Sequence, residues 1–210
     1  MRTKALYGGL SLLVMLAATG CLFSPDEPEN PPPPVVVEYP FPGTKEQLLT
    51  NFKQAYEDME INEYGKILHN DYKFILQEED IIGGQLPYDH LNRDDDITIM
   101  TRIFSGNPYL PPDRDPEAAV TEITFSVLDP VTVWEASTHP DFPGAERAVF
   151  NVDLEFKRPV STTILVSGST EFYVVSRDST VNGIPKQYWQ IVGQVDATDA
   201  GGKSVAVNSP

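Results

Sequence analysis

NFKQAYEDMEINEYGKILHNDYKFIL, residues 51–76, changes its apolar period partway through. From Lys45 to Met59 the apolar positions follow a helical spacing: Leu48, Leu49, Phe52, Ala55, Tyr56 and Met59 fall on one side, and Lys53, Gln54, Glu57 and Asp58 on the other. Thr44, with Gln47 three residues on, gives that helix a capping-box start after Pro42-Gly43. A second, short helix fits Asn62 to Leu68, with Tyr64, Ile67 and Leu68 inward. Asp71 to Leu76 then reads as a strand.

Downstream, Gly83-Gly84 and Pro87 mark a loop, and Asp94 to Phe104 is a third helix with Ile97, Met100, Ile103 and Phe104 inward. Asp94 to Asp96 sit in its first turn, where acids suit the positive end of the helix dipole. After SGNPYLPPDRDP, residues 105–116, the period becomes two. Val120 to Val127 alternates through Ile123, Phe125 and Val127; Asp129-Pro130 interrupts it, and Val131 to Glu135 resumes. Ala148 to Phe156 turns Phe150, Val152, Leu154 and Phe156 to one face. Thr162 to Ser176 turns in Ile164, Val166, Phe172 and Val174, with Gly168 as a bend or bulge. Gln187 to Val195 turns in Trp189, Ile191 and Val195, and Asn182-Gly183 before it is hairpin chemistry. Helices followed by a run of strands predict an α+β domain over residues 44–198, with N-terminal helices packed on a bent antiparallel sheet of four to five strands. Residues 199–210 read as a flexible tail.

Composition narrows the function. Apolar content of 40% supports a real core, so wholesale disorder is excluded. The formal charge of −16 repels phosphate backbones, and no basic cluster offsets it, so nucleic acid is not an expected partner. One cysteine allows no internal disulfide and no cysteine-based zinc site.

That cysteine follows a leader. Arg2 and Lys4 form a positive start, Leu6 to Ala18 an apolar run too short to span a bilayer comfortably, and Ala18, Thr19 and Gly20 precede Cys21. Residues 1–20 followed by Cys21 resemble a bacterial lipoprotein signal peptide, the lipobox, with Ala18 where leucine is commonest. The resemblance implies cleavage between Gly20 and Cys21 and lipidation of Cys21 with diacylglycerol and a further acyl chain such as palmitate. Several acyl chains suffice for stable membrane anchoring. Leu22, rather than aspartate, follows Cys21, so the periplasmic face of an outer membrane is the favoured destination in a Gram-negative cell envelope. An ordinary cleaved signal with a chance cysteine is the alternative. Residues 21–43, rich in proline from Pro25 to Pro42, read as a disordered, extended tether holding the domain off the membrane.

The pattern of residues 51–76, together with KQYWQIVGQVD at 186–196, resembles the nuclear-transport-factor-2-like, or cystatin-like cone, superfamily. The resemblance implies a bent sheet wrapping the helices into an open-mouthed cone over roughly residues 44–198. That superfamily hosts isomerases, dehydratases, hydrolases, polyketide cyclases and many non-catalytic members, so it implies a pocket rather than an activity. Candidate pocket-lining residues are Tyr56, Tyr72, Phe125, Phe150, Phe172 and Trp189. Acid–base chemistry would draw on Asp71, Asp153, Asp196, Tyr56, Tyr72, Tyr173 or Tyr188, none of which matches a family catalytic set. Solvent exposure is the plainer reading for Asp153, a helix end or strand start for Asp71, and core packing for Tyr56.

His69, His90 and His139 are too scattered for a metal site, and Asp94 to Asp96 lack the glycine and distal glutamate of a calcium loop. No cofactor is implied. The expected function is therefore a lipid-anchored envelope protein whose non-catalytic cone binds a small apolar ligand or a protein partner. A cone-fold enzyme is the alternative, and a structural subunit dimerising through its sheet is a third reading. An apolar cavity with a lone polar group would favour binding, and convergent Asp, His and Tyr side chains would favour an enzyme.

Overall fold

The structure, a computed structural model, describes residues 38–76, 89–110, 115–159 and 163–196. The leader, Cys21, the tether to Val37, the Gly83-Gly84 loop and the 199–210 tail lie outside the described residues.

Helix α1 spans Lys45–Glu57. Thr44 Oγ1 accepts from the Gln47 amide at 3.1 Å, but the Gln47 side chain does not close the box. It donates instead to Asn51 Oδ1 at 2.8 Å, and Asn51 donates to the Pro40 carbonyl at 2.6 Å. The domain's contacts accordingly begin before the cap: Tyr39 donates to Asp58, and the Trp189 amide donates to the Pro42 carbonyl at 2.9 Å. α1 stops at Met59, whose φ of 55° is left-handed. The Met59 amide turns back to the Tyr56 carbonyl and the Glu60 amide to that of Ala55, which satisfies the end of the helix. Helix α2 spans Ile61–Ile67 and runs directly into strand β1, Leu68–Ile75, which starts three residues earlier than the apolar pattern predicts. Strand β2, His90–Asn92, leads into helix α3, Arg93–Phe104, through a complete capping box between Asn92 and Asp95.

The remaining strands are β3 (Glu122–Pro130), β4 (Glu135–Ala136), β5 (Glu146–Lys157), β6 (Ile164–Val181) and β7 (Ile184–Asp196). Among the described residues they form one open sheet in the order β2-β1-β7-β6-β5-β3, with β4 paired to β5. The architecture is α+β, with helices packed on one face of a curved sheet. Seven strands replace the four to five expected because β2 and β4, at three and two residues, are too short to show a period. The sheet is also not wholly antiparallel: β1 pairs with β7 in parallel. Asp129-Pro130 forms the end of β3, still paired with Asn151 and Phe150; β3 is an edge strand, where a missing donor is tolerated. Val131 and Val133 are then exposed rather than part of a strand.

Two bulges decide which side chains face the helices. In β3 the register shifts between Phe125 and Val127, so Leu128, not Val127, joins Ile123 and Phe125 in the core. In β7 it shifts between Ile191 and Gly193, so Val195 packs on the outer face while Gln194 and Asp196 turn inward. A bulge inserts one residue and so exchanges the faces of everything after it. Gly168 marks no bulge; β5 and β6 pair without interruption from Glu146 to Phe156.

Aromatic rings dominate the main core. Phe52 meets Phe172 edge-on at 5.3 Å between centroids, and Tyr56 meets Phe104 and Phe125 in the same way at 5.4 and 5.3 Å. On the outer face a smaller cluster forms from Phe142, Ala145, Tyr173 and Val192. The Phe142 ring lies directly on Gly193.

Candidate functional site: an interior cavity between helices and sheet

The inward face of β5, β6 and β7 and the apolar faces of α1 and α3 do not close completely. They leave a cavity of about 270 Å³. Phe52 and Tyr56 reach it from α1, Met100 from α3, and Phe125 from β3. Val152, Leu154, Val166 and Phe172 line it from the sheet. The polar stretch of the wall runs along β6 through Ser167, Ser169 and Thr170, where Thr170 stands opposite Asp196 on β7, with Gln194 two residues along the same face. The Thr170 hydroxyl donates to the Val195 carbonyl at 3.1 Å, and Tyr72 contacts Gln194 Oε1 at 3.4 Å.

Of the six aromatics expected to line a pocket, Tyr56, Phe125 and Phe172 line this one, and Tyr72 reaches it through Gln194. Phe150 and Trp189 stand elsewhere. Phe150 packs between Trp134 and Phe172, at 5.8 and 5.5 Å. The Trp189 ring lies under the Lys45 ammonium, 4.7 Å from its centroid.

Behind Tyr56 lies a polar group that the sequence pattern concealed. Asp96 is buried to 7% exposure, and Tyr64 donates to its Oδ2 at 2.6 Å. It is not part of a solvated helix start. Asp96, Met100 and Phe104 are the buried residues of α3, spaced four apart, and that spacing was the available signal. Burial pushes the Asp96 carboxyl up to about 6, against the opposing hydrogen bond from Tyr64. Burial first, and then the neighbouring Asp96 charge, raise the hydroxyls of Tyr56 and Tyr72, with hydrogen bonding to Tyr64 opposing. The same burial raises Tyr64, together with Tyr56, Tyr72 and Asp96 around it. Asp96 does not itself line the cavity; the rings of Tyr64 and Tyr56, in edge contact at 5.3 Å, stand between.

The other acid–base candidates do not converge. Asp71 is exposed. Asp153 bonds Ser167 across the exposed face of the strand pair. Tyr173 belongs to the outer cluster and bonds Glu171, while Tyr188 packs on Phe41. His69 is buried, which lowers its pKa, with Arg177 adding to the effect. His90 pairs with Asp89, and His139 stacks on Phe142. Among the described residues no three His, Cys, Asp or Glu side chains could share a metal ion. No helix among them is long and apolar enough to cross a membrane.

No protein-family model matches the chain, and no curated protein matches it. It is similar to solved structures. One is the beta subunit of the benzoate 1,2-dioxygenase from Burkholderia mallei, at 16% identity over 73% of this chain and 87% of that one, with a TM-score of 0.46. Another is a hexachlorocyclohexane dehydrochlorinase, at 6% identity, 73% and 82% coverage and a TM-score of 0.43. A third is an NTF2-like protein of unknown function from Cytophaga hutchinsonii, at 12% identity, 74% and 90% coverage and a TM-score of 0.37. The neighbours thus include enzymes and a protein of unknown function, and likeness at this level carries nothing about activity.

Proposed function

We propose that this domain is a non-catalytic binding module, carried on a lipid anchor in a bacterial cell envelope, that takes a small apolar molecule with one polar end into its interior cavity. The observation that carries this reading is the composition of the cavity wall: largely aromatic and aliphatic, with polarity gathered along one stretch, Ser167, Ser169 and Thr170 on β6 and Gln194 and Asp196 on β7. An apolar cavity of about 150 Å³ accommodates benzene, so this one suits a ligand of about ten non-hydrogen atoms. The carboxyl with the raised pKa, Asp96, is hydrogen-bonded by Tyr64 behind the wall rather than presented to the cavity.

An enzymatic reading rests on one observation, the presence of Asp196 in the wall beside Gln194. Extraction of the protein purified from its native envelope, followed by mass spectrometry, separates the two readings. A retained small molecule, recovered unchanged on rebinding, supports the binding module, and a molecule released in altered form supports the enzyme. Extracts that are clean in every preparation contradict the binding module.

The anchor is proposed from Gly20-Cys21 and the leader before it. The full chain is expected to incorporate radiolabelled palmitate and to fractionate with membranes, and Cys21→Ala to do neither. Unchanged labelling in Cys21→Ala would overturn this part. A homodimer through the outer sheet face would have to form beside the Phe142 cluster, which already covers Tyr173 and Val192.

A further inference from the structure

A second cavity, of about 250 Å³, lies between α3 and the adjoining ends of β5 and β6. Its floor is apolar, formed by Ile99 and Ile103 of α3 with Val120, Phe156 and Ile164. Two guanidinium groups, Arg102 and Arg158, line the same space together with one carboxylate, Glu117.

The arginines are held in place. Arg102 lies on the Tyr109 ring, 4.3 Å from its centroid. Tyr109 is fixed in turn by paired backbone hydrogen bonds with Glu117, at 3.0 and 2.8 Å. Among the described residues no carboxylate lies within ion-pair distance of Arg102. Arg158 is largely buried, with a side chain only 19% exposed. Among the described residues its closest carboxylate oxygen, on Glu117, is 3.9 Å away. A planar carboxylate is the group that matches the geometry of a guanidinium. Among the described lining residues two are cationic and one anionic, in a chain of net charge −16.

We propose that this pocket binds a small monocarboxylic acid with an apolar body, its carboxylate on Arg158 and Arg102 and its body against Ile103, Phe156 and Ile164. The apolar floor distinguishes it from a site for inorganic anions. The volume suits a body of about ten non-hydrogen atoms or fewer. This site is separate from the interior cavity, with which it shares only Phe156 as a lining residue, and does not depend on the function proposed for that cavity.

The test is a titration of the full chain with hexanoate labelled at its carboxyl carbon, read by the carbon shift, with hexanamide and inorganic phosphate as parallel probes. Saturable binding of hexanoate, weakened about tenfold or more by Arg102→Gln and by Arg158→Gln, is expected. Arg102 is exposed, so its replacement keeps the test valid if Arg158→Gln fails to fold. Val152→Phe, which lines only the interior cavity, is expected to leave hexanoate binding unchanged. The proposal is overturned if hexanoate does not saturate, if hexanamide or phosphate binds as tightly, if Arg102→Gln has no effect, or if Val152→Phe abolishes binding.

Discussion

The Tyr64 hydroxyl donates a 2.6 Å hydrogen bond to Asp96 Oδ2 inside the aromatic core, joining α2 to α3 through a buried acid. The Asp96 carboxyl rises from 3.8 to about 6 in the folded protein, so folding favours its protonated form. With the folded value above the unfolded one, the favourable contribution is complete below the unfolded value and is lost as pH rises through about 6. The loss is on the order of 3 kcal/mol. Asp96→Asn keeps the shape and an oxygen for Tyr64 but cannot ionise. Urea unfolding from about pH 4 to pH 7 is expected to show the wild type losing stability relative to Asp96→Asn as pH rises. Parallel profiles for the two proteins would contradict the assignment.

Gly193 in β7 lies directly against the Phe142 ring. A Cβ placed there would lie 2.3 Å from two atoms of the Phe142 ring. Gly193→Ala is expected to destabilise the fold by about 1–3 kcal/mol. Combining it with Phe142→Ala should add less than the sum of the two single losses, because the clash is gone. Strict additivity in thermal or chemical denaturation would show that the contact is not the cause.

Lys45 is held by three groups from other elements. Its ammonium pairs with Glu146 and lies 5.3 and 4.7 Å from the ring centroids of Trp134 and Trp189. The aromatic faces attract the cation while keeping most of the side chain from water. Lys45→Met is expected to lose about 1–2 kcal/mol, and Lys45→Arg to recover part of it. An unaltered denaturation midpoint in Lys45→Met would contradict this.

What was legible in the sequence follows from how regular each element is. The apolar side of α1 and the uninterrupted alternation of β5 are one-sided patterns, and both fold as their period indicates. The bulges were invisible because apolar residues sit on both sides of each shift. Val127 continues the alternation of β3 as well as Leu128 begins the new one, and Val195 likewise extends Trp189 and Ile191 in β7. The inward placement of Asp196 is a consequence of the second bulge. Asp96 was hidden by its charge, standing in a run of three acids of which only it lies on the Met100 and Phe104 side. Arg102, Glu117 and Arg158 are far apart in the chain, and only the pairing of β3 with β5 and the Tyr109–Glu117 bridge bring them to one pocket.

Ligand entry to the interior cavity is the central claim, and filling that cavity tests it most directly. Val152 lines it from β5, and Val152→Phe would occupy part of its 270 Å³ without adding charge. The measurement is a fluorescence titration with 2-naphthol, a two-ring molecule with one polar end, on the full chain and on Val152→Phe, with thermal melts confirming that both are folded. The expected result is saturable binding by the wild type and a loss of about tenfold or more in Val152→Phe. Equal binding by the two folded proteins, or none by the wild type, would contradict the cavity as a ligand site.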